Sequence, residues 1–309
     1  MIKDIFSNAI KEWLQTHLIT YEIIEDYINK SRNKVYKLFS PNGFFFLKLH
    51  CNRQHWNKEC YAYKNCTKLA PKYFPKLISI FDSHTDYGIL TSSLPGLPLE
   101  IMNCTKKVNC SVWYDAGKLA AKLNKAISGQ WFGVPDFNHK NFSPFFYDPV
   151  KYTVFNIQKW LNKSLLLKIL EHKEKELVDW ALNNCKCFEN EKPCLVNTDY
   201  TPGNWIVNKD GKFLGVVDLE DMHWGIRAEN FAHLWTKFTS FESMENKAFY
   251  DGYEEDFYNN NPIQSIIACI KLALATRVYG SSWQSLKHIN NSKTIFNWII
   301  NIMKTNFYI

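Results

Sequence analysis

The pattern of residues changes at the stretch LPGLPLE, residues 94–100. Its two prolines and its glycine interrupt any helix or strand that reaches them. The residues before it have the pattern of strands and a helix, and most of those after it have the pattern of helices. We therefore expect an α+β fold with a small strand-rich lobe, residues 1–93, and a larger, mostly helical lobe, residues 94–309. A small ligand is expected in a cleft between the lobes, since such sites occur preferentially at domain junctions.

The first lobe contains a hairpin pattern. The strand-like runs NKVYKLFS and FFFLKLH are joined through Pro-Asn-Gly at residues 41–43, a typical turn sequence. The run NKECYAYKNCTKLA then has helical spacing, with Tyr61, Cys66 and Leu69 on one face. The run FPKLISIFDSHTDYGILTSS predicts two further strands around a polar turn at residues 83–86.

The second lobe is predicted to be helical except in one segment. The run SVWYDAGKLAAKLNKAI places its alanines and leucines at 116, 119, 120 and 123 on one face of a helix. FNIQKWLNKSLLLKILEHKEKELVDWALNNC predicts two helices, and the chain is again helical from residue 228 onward. Between these regions, VNTDYTPGNWIVNKDGKFLGVVDLED predicts short strands around a turn at residues 209–211.

The composition excludes several classes of protein. The net charge is +7, but Lys and Arg form no dense block and acids lie among them, so no nucleic-acid partner is expected. The nine cysteines form no CxxC pair, which is typical of reduced thiols in a cytosolic protein. No uninterrupted apolar run reaches the roughly 18 residues of a membrane span, and charges interrupt the N-terminal stretch. A cytoplasmic protein without a membrane partner is predicted, and its oligomeric state is left open.

An acid and an amide lie five residues apart in the loop of VNTDYTPGNWIV, at Asp199 and Asn204. A second acid, Asp218, ends the strand-like run FLGVVD. If residues 205–208 pair with residues 213–217, all three side chains come to one end of a hairpin. In phosphoryl transfer an acid takes or orients the proton of the acceptor hydroxyl, while an amide and a second acid hold magnesium. Asp and Asn are also ordinary turn residues, but a turn does not require the second acid at a strand end.

The segment VNTDYTPGNWIVNKDGKFLGVVDLEDMHWG resembles the catalytic segment of the aminoglycoside phosphotransferase and choline kinase superfamily, which has the protein-kinase-like fold. The usual form is His-Gly-Asp, four residues, Asn, a hairpin and an Asp at a strand end. This resemblance implies that Asp199 is the catalytic acid, that Asn204 is a magnesium ligand and that Asp218 is the main magnesium ligand. It also implies Mg²⁺ with ATP or GTP as the phosphate donor. LPGLPL, AGKLAAKLNKA and FYDGYEEDF resemble further segments of the same superfamily.

The same resemblance implies a nucleotide site in the first lobe. Lys48, on the second hairpin strand, would contact the phosphates, and Glu59, at the start of the next helix, would hold that lysine. Ser31, in the loop NKSRN between the first strands, would contact phosphate oxygens. Backbone groups around Leu90 and Ser92 would lie beside the adenine ring.

The sequence departs from the superfamily pattern at several positions. Two asparagines replace histidines of the pattern: Asn197 stands where the loop has His, and Asn124 replaces the His of Leu-His. Asn230 stands where an Asp often occurs, and Ile226 replaces another Asp. The acid, the amide and the metal-binding acid are all present. We therefore predict an active kinase and keep, as the alternative, a nucleotide-binding protein without turnover.

The acceptor site is expected in the helical lobe. Acidic candidates that suit an amine-bearing acceptor are Glu220, Asp221, Glu242, Glu245, Asp251, Glu254 and Glu255. They are equally compatible with an exposed helix face. Aromatic residues that could stack on a flat or sugar-like acceptor, or form the core, include Trp131, Trp224, Trp235 and Trp283. The predicted activity is transfer of the γ-phosphate to a hydroxyl of a small acceptor such as an antibiotic, with a choline-like or amino-alcohol acceptor as the alternative.

Overall fold

The computed structural model describes residues 5–28, 33–83, 85–102, 104–126, 128–135, 145–237 and 243–306, with the side chains at 66, 235–237 and 258 outside that part. The chain forms two compact units. The first contains the described residues of Met1–Cys104 and Pro202–Met222, together with Pro135. The second contains the described residues of Thr105–Val134, Ser143–Thr201 and His223–Ile309. The units therefore differ from the predicted boundary at 93/94, because a segment that follows residue 200 belongs to the first unit.

The elements alternate along the chain much as the sequence predicts. The strands are β1 (Glu22–Ile28), β2 (Lys34–Ser40), β3 (Gly43–His50), β4 (Leu77–Asp82), β5 (Tyr87–Ser92), β6 (Leu97–Pro98), β7 (Cys194–Asn197), β8 (Trp205–Val207), β9 (Phe213–Val216) and β10 (Met222–Gly225). The helices are α1 (Asn8–Leu18), α2 (Arg53–Leu69), α3 (Lys106–Ala126), α4 (Pro149–Leu166), α5 (His172–Asn183), α6 (Ala232–Lys237), α7 (Met244–Tyr253), α8 (Phe257–Asn260), α9 (Pro262–Ser282) and α10 (Leu286–Asn306). Single 3₁₀ turns cover Pro71–Tyr73, Cys185–Phe188 and Arg227–Asn230.

An antiparallel sheet in the order β1-β2-β3-β5-β4 forms the body of the first unit. The predicted hairpin is confirmed, since β2 and β3 pair from Lys34↔Leu49 to Ser40↔Gly43. Gly43 has φ 112°, a left-handed conformation that glycine adopts without steric cost. Successive side chains of a strand point to opposite faces, so β3 presents two different surfaces.

One face of this sheet is covered by α1. The buried side chains of this core are Phe6, Ile10, Leu14, Leu18, Tyr36, Leu38, Phe45, Leu47 and Leu90. Leu47 is paired with Leu90 across β3 and β5, so both point into this apolar core. The alternation of β3 then directs Lys48 and His50 to the opposite face, which is the face that carries the polar groups described below.

A second, three-stranded sheet in the order β6-β8-β9 also lies in the first unit. Leu97 of β6 pairs with Val207, and Trp205 of β8 pairs with Val216, which confirms the predicted hairpin around the turn at 209–211. Gly215 has φ 152°, and a Cβ atom there would overlap the carbonyl group of Tyr73. This close approach needs glycine and packs β9 against the 3₁₀ turn at Pro71–Tyr73.

The second unit is mostly helical. Helices α3 and α7 approach closely at Gly117 and Gly252, where any Cβ atom would overlap the backbone of the facing helix. The residues of α3 predicted to face inward, at 116, 119, 120 and 123, are buried as expected. Strands β7 and β10 pair with each other. The 3₁₀ turn at Arg227–Asn230 and helix α3 pack against β7.

Helix α9 is the one described helix that is long and apolar enough to cross a membrane, judged by length and composition alone. In its most apolar window 67% of the residues are buried inside the protein. A helix that is apolar on all sides is typical of a protein core, and α9 packs against α4, α5 and α10. The sequence search for uninterrupted apolar runs did not identify this helix.

Candidate active site

Three carboxylates of the first unit surround one lysine. The Nζ atom of Lys48 lies 2.7 Å from Oδ1 of Asp218, 2.9 Å from Oε2 of Glu59 and 2.9 Å from Oε2 of Glu220. The Lys48 side chain is only 14% exposed. These residues come from β3, from α2 and from the segment after β9, and we call them the Lys48 cluster. The predicted pairing of Lys48 with Glu59 is therefore present.

His50 is a member of this cluster that the sequence prediction missed. Its side chain is fully buried, and Nε2 lies 3.0 Å from Oε2 of Glu59. Nδ1 lies 3.9 Å from Oε2 of Glu220. His50 follows Lys48 by two residues in β3, so both side chains point to the same face. That spacing in the run KLH was the signal that could have found it.

Glu59 is held as an anion. Its other carboxylate oxygen, Oε1, accepts a hydrogen bond of 3.2 Å from the backbone amide of Leu219. Burial alone would raise the pKa of Glu59, but the charge of Lys48 and the hydrogen bond with His50 outweigh it and lower the pKa to about 2. Burial would likewise lower the pKa of Lys48, yet Asp218, Glu59 and Glu220 raise it well above its ordinary value. Lys48 and Glu59 are therefore both charged at neutral pH.

Asp218 is the most accessible carboxylate of the cluster. Its side chain is 41% exposed, whereas those of Glu59 and Glu220 are 2% and 11% exposed. Its φ of 60° turns the chain sharply at the end of β9. The neighbouring amide of Val217 donates a hydrogen bond of 3.0 Å to the carbonyl oxygen of Asn204. Asn204 and Asp218 thus lie at the same end of the β8–β9 hairpin, as predicted.

The residues of this end of the hairpin fit a magnesium ion. Carboxylate and amide oxygens are the hard ligands that Mg²⁺ prefers. The Lys48 cluster contains more carboxylates than cations, so an added divalent cation would reduce a surplus of negative charge. The ligand atoms of His50, Glu59 and Glu220 also lie within 4.8 Å of one another. The ammonium group of Lys48 already contacts the carboxylates of Glu59 and Glu220. We therefore describe His50, Glu59 and Glu220 as part of an ion-pair group.

The structure corrects the assignment of Glu220. This residue was predicted to face the acceptor, but it contacts Lys48 and accepts a hydrogen bond from Nδ2 of Asn33 in the first unit. Asp221, next to it, lies 3.6 Å from Nζ of Lys58 and is 40% exposed. Glu220 therefore belongs with the lysine and the hairpin end, because the sharp turn at Asp218 directs it back toward β3.

The residues predicted beside the adenine ring have other partners. The side chain of Leu90 is fully buried in the core under α1, and its backbone pairs with Leu47 and Ser79. The Oγ atom of Ser92 accepts a hydrogen bond of 2.9 Å from the amide of Lys76. Their contribution to nucleotide binding stays a prediction. Ser31 and Glu242 lie outside the described residues.

Asp199 lies in the second unit, in the loop after β7. Its amide donates a hydrogen bond of 3.0 Å to Oδ1 of Asn197, whose own amide donates one of 3.0 Å to Oδ1 of Asn230. The hydroxyl of the next residue, Tyr200, donates a hydrogen bond of 2.8 Å to the carbonyl oxygen of Ala116 in α3. The loop that carries Asp199 is therefore fixed on both sides by buried side chains.

The late acids of the second unit line a depression of about 600 Å³. Its lining residues are Lys247, Tyr250, Asp251, Glu254, Glu255, Asp256 and Asn259. The structure thus brings Asp251, Glu254 and Glu255 together, and their contact with an acceptor stays a prediction. Each also has a basic partner, since Glu254 lies 2.9 Å from Lys125, Glu255 lies 3.0 Å from Arg227 and Asp251 lies 3.7 Å from Lys247.

The aromatic candidates divide into core and surface. Trp224 is 4% exposed and belongs to the core. Trp131 packs edge-on against Phe145, with ring centroids 6.3 Å apart, and Phe145 itself is 55% exposed. Trp283 stacks on Tyr279 at 4.9 Å. The side chain of Trp235 lies outside the described part.

Comparison with known proteins identifies the family of the chain. Residues 29–261 of the 309 match the phosphotransferase enzyme family, APH. The chain belongs to this family, which confirms the predicted enzyme class, a phosphotransferase acting on a hydroxyl group. No curated protein sequence matches the chain.

Solved structures confirm the kinase-like fold. The chain is similar to a thermostable mutant of aminoglycoside phosphotransferase APH(4)-Ia in ternary complex with AMP-PNP and hygromycin B, with a TM-score of 0.73 and 11% identity over 95% of this chain and 98% of that one. It is also similar to APH(2")-IIa in complex with gentamicin, with a TM-score of 0.64 and 14% identity over 96% and 97% of the two chains. ADP-bound APH(2'')-Ib has a TM-score of 0.63 and 14% identity over 95% and 98%.

Replacing Lys48 by Met is expected to reduce the free energy of unfolding by about 3–5 kcal/mol at pH 7, because it leaves buried carboxylates without their cation. The pKa of Glu59 would then rise, so its charged form would oppose folding near neutral pH. The loss should become smaller as the pH falls and the carboxylates take up protons. Urea denaturation at pH 7 and pH 5 measures both effects.

Lys37→Met is the matched control. Lys37 pairs with Glu25 at 3.1 Å, but the two side chains are 27% and 43% exposed. An exposed pair of this kind contributes at most about 1 kcal/mol. Equal losses for the two variants, or a Lys48→Met loss that does not change with pH, would contradict a charged, buried pair of Lys48 and Glu59.

Proposed function

We propose that the protein is a small-molecule kinase that transfers the γ-phosphate of ATP or GTP to a hydroxyl of a small, amine-bearing acceptor such as an aminoglycoside antibiotic. The observation that carries this proposal is the Lys48 cluster, in which a buried, charged lysine and an accessible carboxylate, Asp218, lie side by side. Such an arrangement suits a nucleotide phosphate and its cation better than it suits a folded core, which rarely retains three carboxylates around one lysine. A cytoplasmic location and a role in antibiotic inactivation are part of the proposal.

Each residue has a defined task in this proposal. Lys48 would donate to the oxygens of the nucleotide phosphates, and Glu59 with His50 would hold it in place. Asn204 and Asp218 would hold magnesium, which supplies neutralisation of the phosphate charge when bound. Asp199 would orient the acceptor hydroxyl and take up its proton, the role of the loop acid in phosphoryl transfer.

The amine-bearing acceptor is supported by the depression in the second unit. Four of its lining residues are acids, namely Asp251, Glu254, Glu255 and Asp256, whereas Lys247 is the basic residue of that lining. A surplus of carboxylates attracts ammonium groups, and ammonium groups of an acceptor could replace Lys125 and Lys247 as the partners of these acids. Hygromycin B and gentamicin are bound by two of the similar proteins.

Asp218→Asn is expected to abolish magnesium-dependent nucleotide binding. The substitution removes one negative charge from the ligand that is most accessible in the cluster and keeps its size. Isothermal titration calorimetry with ATP, with and without magnesium, measures the effect. Asp210→Asn, in the exposed turn of the same hairpin, is the control and should bind as the wild type does. Unchanged magnesium-ATP affinity in Asp218→Asn would contradict the assignment.

Asp199→Ala is expected to reduce turnover by roughly 10²–10⁴-fold, the usual contribution of a general acid or base. Its affinity for magnesium-ATP should remain close to that of the wild type, since Asp199 acts on the acceptor. Steady-state kinetics and calorimetry on the same preparation separate these two quantities. A fully active Asp199→Ala variant would show that another residue performs this role.

The acceptor is tested by a mass-spectrometric screen for the mass gain of one phosphate group. The wild-type protein is incubated with magnesium and ATP or GTP over aminoglycosides, nucleoside and peptide antibiotics, choline and amino-alcohol metabolites, with Asp199→Ala as the control. We expect transfer to an amine-bearing compound from this set. Transfer to a protein but to no small molecule would overturn the proposal. Nucleotide binding without any transfer would favour a protein that has lost turnover.

A further inference from the structure

Three asparagines of the second unit belong to one chain of hydrogen bonds, which includes their side chains and backbone amide groups and which we call the amide network. Its members are Asn124 at the end of α3, Asn230 in the 3₁₀ turn Arg227–Asn230, and Asn197 at the end of β7. Nδ2 of Asn230 donates to Oδ1 of Asn124 at 3.0 Å. Oδ1 of Asn230 accepts a hydrogen bond of 3.0 Å from the backbone amide of Asn197. Oδ1 of Asn197 in turn accepts one of 3.0 Å from the backbone amide of Asp199.

Each end of the network is anchored. Oδ1 of Asn124 also accepts a hydrogen bond of 2.9 Å from the hydroxyl of Tyr253 in α7, and its Nδ2 donates one of 2.7 Å to the carbonyl oxygen of Leu195. Both polar atoms of Asn124 and both polar atoms of Asn230 are thus used. Because an amide donates at one atom and accepts at the other, these contacts fix the orientation of each side chain.

The turn that carries Asn230 is itself held rigidly. Glu229, 3% exposed, contacts Lys271 of α9, lies 2.7 Å from Nε2 of His223 and accepts a hydrogen bond of 3.2 Å from the hydroxyl of Tyr152. Burial would raise the pKa of Glu229, but Lys271 and His223 lower it to about 2. The network therefore runs from helices α3 and α7, and from a turn fixed on α9, to the backbone of Asp199.

From this geometry we propose that Asn124 and Asn230 are positioning residues, which fix the loop of Asp199 through Asn197 by hydrogen bonds between neutral groups only. The inference rests on the proposed role of Asp199 as the group that orients the acceptor hydroxyl. Misplacing such a group by about 1 Å can cost about 100-fold in rate. The network contains no ionisable member near neutral pH, so the support of Asp199 does not change with protonation.

The charged and titratable groups around the network are compatible with a support of Asp199 that does not change with protonation. Arg227, on the same turn as Asn230, lies 3.1 Å from Glu191 and 3.0 Å from Glu255, which balance its charge. Burial raises the pKa of the Tyr253 hydroxyl and of the Cys194 thiol, so both stay protonated. His223 contacts Glu229.

The first test replaces Asn230 by Asp. An aspartate can still accept from the amide of Asn197, but its second oxygen would face Oδ1 of Asn124, acceptor against acceptor, and its charge would be buried. We expect turnover to fall about 10–100-fold while the affinity for magnesium-ATP stays within about two-fold. Hydrogen–deuterium exchange of peptides covering residues 195–204 should increase, and that of α10 should not change.

The second test adds Asn124→His to Asn230→Asp. Only a protonated imidazole offers two N–H donors, one for the carbonyl oxygen of Leu195 and one for the aspartate. The double variant should therefore recover turnover and slow exchange at pH 6, and lose both as the pH rises through the histidine pKa, which the aspartate raises above about 6.5. The wild type should show no such step.

Two further variants keep the result interpretable. Asn208→Asp is the matched control, because Oδ1 of Asn208 accepts from the amides of Asp210 and Lys212 at 3.0 and 2.9 Å and an aspartate keeps both bonds. If Asn230→Asp folds poorly, Tyr253→Phe is the variant to measure in its place. It removes one donor to Asn124 and is expected to lower turnover about three-fold with unchanged nucleotide affinity. Thermal unfolding of every variant gives the folded fraction.

Wild-type turnover in Asn230→Asp and Tyr253→Phe, or a double variant no better than Asn230→Asp at any pH, would overturn the inference. So would a loss of turnover that merely follows the folded fraction. Asp199→Ala separates the role of the network from the proposed role of Asp199. If Asp199→Ala is inactive while the network variants are fully active, only this inference fails; if Asp199→Ala remains active, the proposed function of that residue fails.

Discussion

The ion pairing of Lys48 is the constraint on which the first unit depends. A lysine side chain that is only 14% exposed needs anions close to its ammonium group to remain charged, and that group has three of them. To bring these anions together, the chain must place β3, α2 and the end of the β8–β9 hairpin side by side. The alternation of β3 separates this polar surface from the apolar core under α1. The sheet therefore has one apolar face that packs against α1 and one polar face that carries the ion pairs of Lys48.

The second unit uses a different kind of interaction to hold its loop. There, the backbone around Asp199 is fixed by uncharged amides, although the turn that carries Asn230 is fixed by the buried carboxylate of Glu229 and its contacts with His223 and Lys271. Amides offer both a donor and an acceptor without the cost of burying a charge. Three asparagines depart from the superfamily pattern, at 124, 197 and 230. The side chain of Asn230 contacts the side chain of Asn124 and the backbone amide of Asn197. A change at Asn124 or at Asn230 would leave the other with a mismatched donor or acceptor, which gives a physical reason for these two departing together.

Much of this was accessible from local sequence rules. The hairpin at residues 34–50 follows from its turn residues and its flanking strands, and the positions of Asn204 and Asp218 follow from the hairpin between them. The role of Glu220 was not accessible, because its direction depends on the left-handed turn at Asp218, a conformation that is unusual for a residue other than glycine. His50 was missed because a histidine in an apolar strand has no partner visible in the sequence. The extension of the first unit was missed because β6 is only two residues long and pairs with a strand about 110 residues further on.

The three-stranded sheet β6-β8-β9 has a consequence for how the protein is made. The first unit is not continuous in the chain, since it combines described residues up to 104 with residues 202–222. Asp218 and Leu219 can contact Lys48 and Glu59 only after that later segment has been synthesised. Until then, a growing chain would contain the five-stranded sheet with Lys48, His50 and Glu59 on its polar face, but without the hairpin that packs on Tyr73. Contacts between distant segments form late and slow the folding of a domain. Completion of the first unit is thus tied to synthesis of about half of the second. A chain cut short before residue 218 would lack Asp218, one of the two proposed metal ligands.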